Sequence, residues 1–403
     1  DLPDRVRTYR AKWNPTACEH GAVTDLEDLA AMVTEDLWSD LDLETRQRLR
    51  KAPPTWQEAD RRTIEDFVDR RLRSFVERRK VTDPLVEEAL SPSTGGMDRG
   101  ICLIGEAGSG KSCIFSQVYR TLQDRKNVLL LPHAAGIHPN SGNVDRMLSR
   151  WVFELCRFLK IDNPLEAPAG SADAEETTPP RSEDIEKTFH HLLSQAAQQT
   201  RVVMLLDALN QFEPTPRARH MTWLPRIWPE NVRFIATTLS GAGARSLMRR
   251  KGVADQRLAP LNANEAAEIA RHCFSRYHRE PNPRALDALL GLKLPDGAAA
   301  SGNPLWLELA LESLNLLERD DFERADRAFS NLPGDQRIEA LLVQIAESFP
   351  RSVAGAYEWL LERAEGHFGE RWVTSLVAAI AASRGGLRDS DLRAVVKPWD
   401  ELN

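Results

Sequence analysis

The chain has 403 residues and a mass of 45.3 kDa, beyond the size one hydrophobic core usually supports, so a single small module is excluded and two or three domains are expected. Hydrophobic residues at 42% and charged residues at 28% exclude a wholly disordered, collagen-like or coiled-coil chain. The net charge of -7 supplies no global field to attract nucleic acid, and apolar runs such as 128–131 and 202–206 fall far short of the roughly 18 to 20 residues a membrane-spanning helix needs. Five cysteines, Cys18, Cys102, Cys113, Cys156 and Cys273, are scattered without a C-x-x-C pair. They indicate neither a disulfide framework nor a zinc ribbon, and a cytoplasmic location is expected. The sequence starts at Asp1 without a methionine or signal peptide and stops at Asn403 just after an apparent domain, which predicts an excised fragment. Lysine supplies only ten of the 53 basic residues and alanine is abundant, a composition associated with GC-rich bacterial genomes.

Residues 1–96 read as a helical leader, with apolar residues at helical spacing in Leu26, Leu29, Ala30, Val33 and Leu37 and again in Ile64, Phe67, Val68, Leu72 and Phe75. Within it, 46–80 carries twelve Lys or Arg against six Asp or Glu, including Arg61-Arg62, Arg70-Arg71 and Arg78-Arg79-Lys80. A solvated helix face is the ordinary reading of such a run, and a nucleic-acid surface is the alternative. After the turn-rich stretch 91–96, short apolar runs at 101–104, 128–131, 202–206 and 232–238 alternate with amphipathic segments. The pattern of each run is that of a strand buried on both faces of a parallel sheet, so an α/β domain is predicted over 97–261, with a weaker fifth strand near 256–258. Residues 163–181 have almost no large apolar side chains and read as a mobile loop. Helical periodicity returns at Asn262 or Asn264 as N-cap and gives a helical domain over 262–332, including a helix at 305–317. The last segment, 333–403, shows helical patterns at 338–349, 356–364 and 372–382 and a short helix capped by Asp389, an order and size that suit a winged-helix-like module. No internal repeat of 20 to 50 residues is present.

Gly105-Glu-Ala-Gly-Ser-Gly-Lys-Ser112 matches G-x-x-x-x-G-K-[ST] between a predicted strand and a predicted helix, the setting a phosphate-binding loop requires. Glycines let successive backbone N–H groups converge on phosphate oxygens, so Gly105, Gly108, Ser109, Gly110 and Cys113 are expected to cradle the ligand. Lys111 places a cation on the terminal phosphates, and Ser112 is a magnesium ligand. Asp207, after five apolar residues, is the acid expected at the tip of a neighbouring strand, holding Mg2+ directly or through water. Hydrolysis also needs a group that orients water. Asn210 and Gln211 offer only amides there, and Glu213 is the nearest carboxylate. Gln211 can position water without taking its proton, so binding of ATP or ADP is better supported than fast turnover. Thr237 and Thr238, at the end of the fourth strand, are candidate γ-phosphate sensors or plain strand threonines. No N-K-x-D guanine-reading motif follows Asp207, which favours adenine. His133, His138, His190 and His191 lack a cysteine or acid at ligand spacing and are expected to be structural.

With these segments in order, the chain resembles the NACHT branch of the STAND signal-transduction NTPases, and within it the NACHT proteins carrying WD or TPR repeats and their bacterial relatives. The residues that carry the likeness are the phosphate loop, Leu-Leu-Asp207-Ala-Leu-Asn-Gln, Ala-Thr237-Thr238-Leu-Ser-Gly, Gly302-Asn-Pro304 and His133-Ala-Ala-Gly-Ile-His138-Pro-Asn-Ser141. The resemblance spans roughly 95–400. It implies a helical domain whose G-x-P motif sets Pro304 against adenine, a winged helix that closes over the nucleotide, and exchange of ADP for ATP that permits self-association. It also implies an acid after Asp207, an arginine where Leu239 stands, and a repeat-built sensor for the trigger, none of which these residues contain. The function expected is a nucleotide-gated signalling switch in bacterial antiviral defence or stress signalling. Two alternatives share the loop: an AAA+-like motor remodelling DNA or protein, with Arg226, Arg245, Arg249 or Arg250 as a trans-acting finger, and a small-molecule kinase.

Overall fold

A computed structural model describes residues 54–73, 76–91, 100–166, 180–317, 319–383, 387 and 391–392. The helical pattern from Leu26 to Leu37, most of the loop predicted at 163–181, and Asp389 lie outside the described residues. The chain divides into two compact units, 1–59 and 60–403. Of the first, only residues 54–59 are described, and the sheet lies wholly within the second.

Five strands, β1 (Gly100–Ile104), β2 (Val128–Ala134), β3 (Arg201–Asp207), β4 (Val232–Thr238) and β5 (Val253–Arg257), form one sheet in the order β2-β3-β4-β1-β5 with every pair parallel. Side chains alternate between its faces. Cys102, Ile104, Val202, Met204, Leu206 and Phe234 pack on one side with Leu148, Trp151 and Leu155 of α4 (Val144–Leu159) and Phe189, Leu192 and Leu193 of α5 (Ser182–Gln199). Leu103, Val203, Leu205 and Ile235 pack on the other with Ile114, Phe115 and Val118 of α3 (Lys111–Gln123). Burial of each such side chain contributes about 1.5–3 kcal/mol, so a charge at Leu205 would break the sheet from its centre. The edge strands depart from expectation for a common reason: fewer neighbours constrain them. β2 continues past 131 through Pro132, which an edge strand tolerates because the missing N–H faces no ladder. β5 starts at Val253 rather than near 256, and its half-exposed residues carry no apolar run to mark it.

The described part of the leader beyond residue 59 belongs to this core. α1 (Trp56–Leu72) and α2 (Arg79–Leu90) set Ile64, Phe67, Val68, Leu85 and Ala89 among Ile114, Phe115 and Leu122, so the boundary expected at 96 passes through a single hydrophobic cluster. The carbonyl of Ser91, just past α2, accepts hydrogen bonds from Arg201 of β3 and, at 3.0 Å, from Arg233 Nη2 of β4.

Two short helices, α6 (Pro216–His220) and α7 (Ala242–Met248), follow β3 and β4, and beyond Leu261 the chain is helical. α8 (Ala263–Ser275) opens with a capping box in which Asn262 accepts from Asn264 and Glu265 N–H groups while Glu265 accepts from Asn262 N at 2.9 Å. α9 (Pro283–Leu290), α10 (Pro304–Asn315), α11 (Arg319–Ala328), α12 (Gly334–Ser348) and α13 (Val353–Phe368) follow, then α14 (Glu370–Ala382). Phe274, Leu289, Trp306, Leu311, Leu341, Ile345 and Phe349 belong to one cluster, and Trp306 Nε1 donates to Pro350 O at 2.7 Å. The boundary expected at 332/333 therefore also crosses a core. Among the described residues of 333–383 there are three helices and no strand. No described helix is long and apolar enough to cross a membrane.

Candidate nucleotide-binding site

The loop 105–110 lies at the carboxyl end of β1, where ligands of open parallel sheets bind. Gly110 caps α3 in the left-handed region (φ 89°), and Gly108 also has a positive φ of 75°. At Gly108 a Cβ would come within 2.7 Å of Leu305 Cβ and 2.9 Å of Asn303 Oδ1, so both conformation and proximity demand glycine. Lys111 Nζ donates to Gly105 O at 3.0 Å and to Glu106 O, which holds the cation over the loop. Partial burial lowers its pKa, while the carboxylates of Asp207 and Glu106 act in the opposite direction.

The strand order builds the rest. β4 lies between β1 and β3, with Leu103 beside Thr237 and Leu206 beside Ala236, so the last residues of β4 stand between the loop and Asp207. Asp207 is buried, which pushes its pKa up against the opposing effects of hydrogen bonds from Thr237 and Ser112 and the charges of Arg71 and Lys111. Thr237 Oγ1 donates to Asp207 and accepts from Ala208 N at 3.0 Å. Ala208 itself is left-handed (φ 57°), an uncommon conformation for alanine that turns the chain immediately after the acid. Ser112 and Asp207 thus bring two hard oxygen donors together, the set a magnesium ion takes from protein when the remaining ligands are phosphates and water. The glycine cradle, Lys111 and this oxygen pair fit a magnesium-bound nucleoside polyphosphate.

Beside the loop lies a cavity of about 130 Å³ lined by Arg71, Arg78, Ser109, Gly110, Cys113 and Pro304, with Glu308 and Cys273 on its helical wall. Pro304 Cγ is 3.5 Å from where a Gly110 Cβ would stand. Asn303 caps α10 by accepting from Leu305 N and Trp306 N, and its Nδ2 donates to Ala107 O at 3.1 Å. Leu305 N donates to Gly108 O at 3.2 Å. Burial raises the pKa of both Cys113 and Cys273 to about 11, so neither is a thiolate nucleophile near neutral pH. Arg78 bonds Glu265 through Nε at 3.2 Å and Ala259 O through Nη2 at 3.0 Å, securing the link from β5 to α8.

Lys111, Ser112, Asp207 and Thr237 therefore come together, and Ser109, Gly110, Cys113 and Pro304 face the adjoining cavity. Thr238 stands apart from the acid: its Oγ1 donates to Leu239 O and its carbonyl accepts from Gly105 N. Gln211 packs its side chain over Gly136, 3.4 Å from where a Cβ would stand, and Asn210 Oδ1 accepts from Leu239 N at 3.2 Å. Glu213 is tied to the segment after β2 through Gly142 O and Asn143 Nδ2. From the end of β2, His133 Nε2 donates to Ser141 O of that segment at 2.7 Å, and burial together with Arg150 pushes its pKa down to about 3. No group of three or more metal-ligating side chains occurs among the described residues. Arg250 spends its guanidinium on Met221, Leu224 and Pro225 carbonyls, which removes it from the finger candidates. Two contributors escaped sequence reasoning. Asn303 sits within the G-x-P motif, where only Pro304 drew attention, and Arg71 was one of many arginines in the basic run.

This geometry and the all-parallel sheet define a P-loop NTPase core, and residues 74–235 match the AAA ATPase domain family. Among curated proteins, the chain is similar to a TPR repeat-containing protein of Dictyostelium discoideum, at 23% identity over 72% of this chain and 18% of that one. It is also similar to the human NACHT domain- and WD repeat-containing protein 1, at 25% identity over 75% of this chain and 17% of that one. The chain thus spans less than a fifth of these relatives. Among solved structures it is similar to a Signal Transduction ATPase with Numerous Domains (STAND) protein with a tetratricopeptide repeat sensor from Pyrococcus horikoshii. That match has 16% identity and a TM-score of 0.37 over 62% of this chain and 34% of that one.

Proposed function

We propose that this chain is the nucleotide-gated module of a STAND-type switch of the NACHT kind, cytoplasmic and bacterial, in which exchange of ADP for ATP alters the packing of helical segments on the P-loop domain and thereby self-association. The observation that carries this reading is the pair of hydrogen bonds from Asn303 Nδ2 to Ala107 O and from Leu305 N to Gly108 O. They attach the helical part to the phosphate loop itself, so a ligand that moves the loop acts directly on α10. In this reading Pro304 borders the base, Lys111 and the loop amides bind the phosphates, Ser112 and Asp207 hold the magnesium, and 333–403 is the winged-helix-like lid. The trigger is sensed by repeats or by a partner outside these residues, in antiviral defence or stress signalling.

Hydrogen exchange tests this. ADP and a non-hydrolysable ATP analogue should protect the amides of 300–317 to different degrees, because a ligand shifts packing only through differential affinity for the two arrangements. Asn303→Ala should blunt the difference. Equal protection by both nucleotides across 300–383 rejects the switch. The AAA ATPase match keeps a motor as the second reading. Against a nucleic-acid surface, Arg61 turns to Glu154 at 3.0 Å and Tyr119 at 3.3 Å, Arg78 is buried on Glu265, and Arg79 pairs with Glu77.

A further inference from the structure

Among the arginines of the basic run, Arg70, Arg71 and Arg78 line the cavity beside the loop, and of these Arg71 also acts on the buried Asp207. It lies at the end of α1, and its guanidinium stands 5.2 Å from the centroid of the Phe67 ring. Phe67 is buried and in turn faces Phe115 of α3, with ring centroids 6.4 Å apart. That stack steers the side chain along the first turn of α3, where the Arg71 carbonyl accepts from Cys113 Sγ at 3.8 Å. The side chain lines the cavity shared with Ser109 and Gly110 of the phosphate loop. No carboxylate pairs with Arg71 among the described residues, whereas Arg61, Arg78 and Arg79 each have one. Its charge reaches the buried Asp207 at least as strongly as that of Lys111, and it also acts on Cys113. The end of β4 brings no cation to balance a ligand there, since Leu239 and Ser240 are uncharged.

We propose that Arg71 is a second cationic ligand of the nucleotide's phosphate chain, supplied from the helix that precedes the P-loop domain and placed by the Phe67 ring and the Cys113 contact. This deepens the nucleotide-switch reading and rests on it. One magnesium ion and Lys111 together offset about the charge of ADP and leave ATP about one negative charge, and a planar guanidinium held beside the loop can donate two hydrogen bonds to a phosphate of either. Phosphate binding would also order the end of α1 against α3, so the helix before the P-loop domain would respond to the ligand together with α10.

The test is competition against a fluorescent ADP on the full chain, using ADP, ATP and adenosine with wild type, Arg71→Ala, Arg71→Lys and Lys111→Ala. Loss of a charge-assisted contact should weaken ADP and ATP about tenfold to a hundredfold in Arg71→Ala. Arg71→Lys should recover part of that loss, and adenosine should bind alike to wild type and Arg71→Ala. ADP affinity within twofold of wild type in Arg71→Ala overturns the assignment while leaving the nucleotide reading intact. An equal loss for adenosine also overturns it, by showing that the substitution damages the cavity rather than a phosphate contact. If wild type binds none of the three, the nucleotide reading falls and this inference with it.

Discussion

Thr237 holds Asp207 from the neighbouring strand: its hydroxyl donates to the carboxylate and accepts from Ala208 N at 3.0 Å, so one side chain fixes both the acid and the turn after it. The hydroxyl's one proton is engaged in the hydrogen bond to the acid.

Thr237→Val keeps the shape of the strand and removes that donor. The pKa of Asp207, already raised by burial, should climb further. Stability should fall by about 1–3 kcal/mol because a buried carboxylate and Ala208 N lose a partner. Magnesium titrations at fixed ATP should show weaker metal-dependent binding, with Thr237→Ser close to wild type. Unchanged magnesium dependence in the valine variant contradicts this role.

Lys111→Ala should abolish nucleotide binding in calorimetry while circular dichroism reports an intact fold. Unstimulated hydrolysis by wild type should stay well under the roughly 1 to 1000 per second common among enzymes. The amide of Gln211 lies over Gly136 and Glu213 is held by Gly142 and Asn143, so no described carboxylate is fixed beside Asp207 to accept a proton from water. A steady rate above one per second without an activator would favour the motor.

Acid should loosen the segment after β2. His133 is held neutral, with a folded pKa of about 3 against an ordinary value near 6.5. The unfolded chain therefore takes up a proton that the folded chain refuses. Its stabilising contribution is fully present above pH 6.5 and is lost as pH falls toward 3, by up to about 1.4 kcal/mol per unit. Urea denaturation at pH 7.5 and 5.0 should show this slope, and His133→Gln should flatten it. Identical slopes in the two proteins would place the pH dependence elsewhere.

The phosphate loop was readable because its signal is local: eight consecutive residues, a strand before and a helix after. Asp207 was readable for the same reason, as an acid ending an apolar run. Thr237's partnership was not, because it depends on β4 lying between β1 and β3, and strand order is set by packing rather than by any residue near 237. What the leader covers was hidden for a related reason. Ile64, Phe67 and Val68 announce a helix but not what it covers, and the turn-rich 91–96 reads as a boundary although the helices before it and the sheet after it share one core. Asn303 has two roles, as helix cap and as donor to Ala107, and sequence declares only the first.

Arg201 and Arg233 both bind the carbonyl of Ser91, and they sit at the amino ends of β3 and β4, the rim of the sheet opposite the phosphate loop. The end of α2 is therefore anchored to two adjacent parallel strands at the rim away from the loop, while α1 meets the loop's own helix through Phe67 and Arg71.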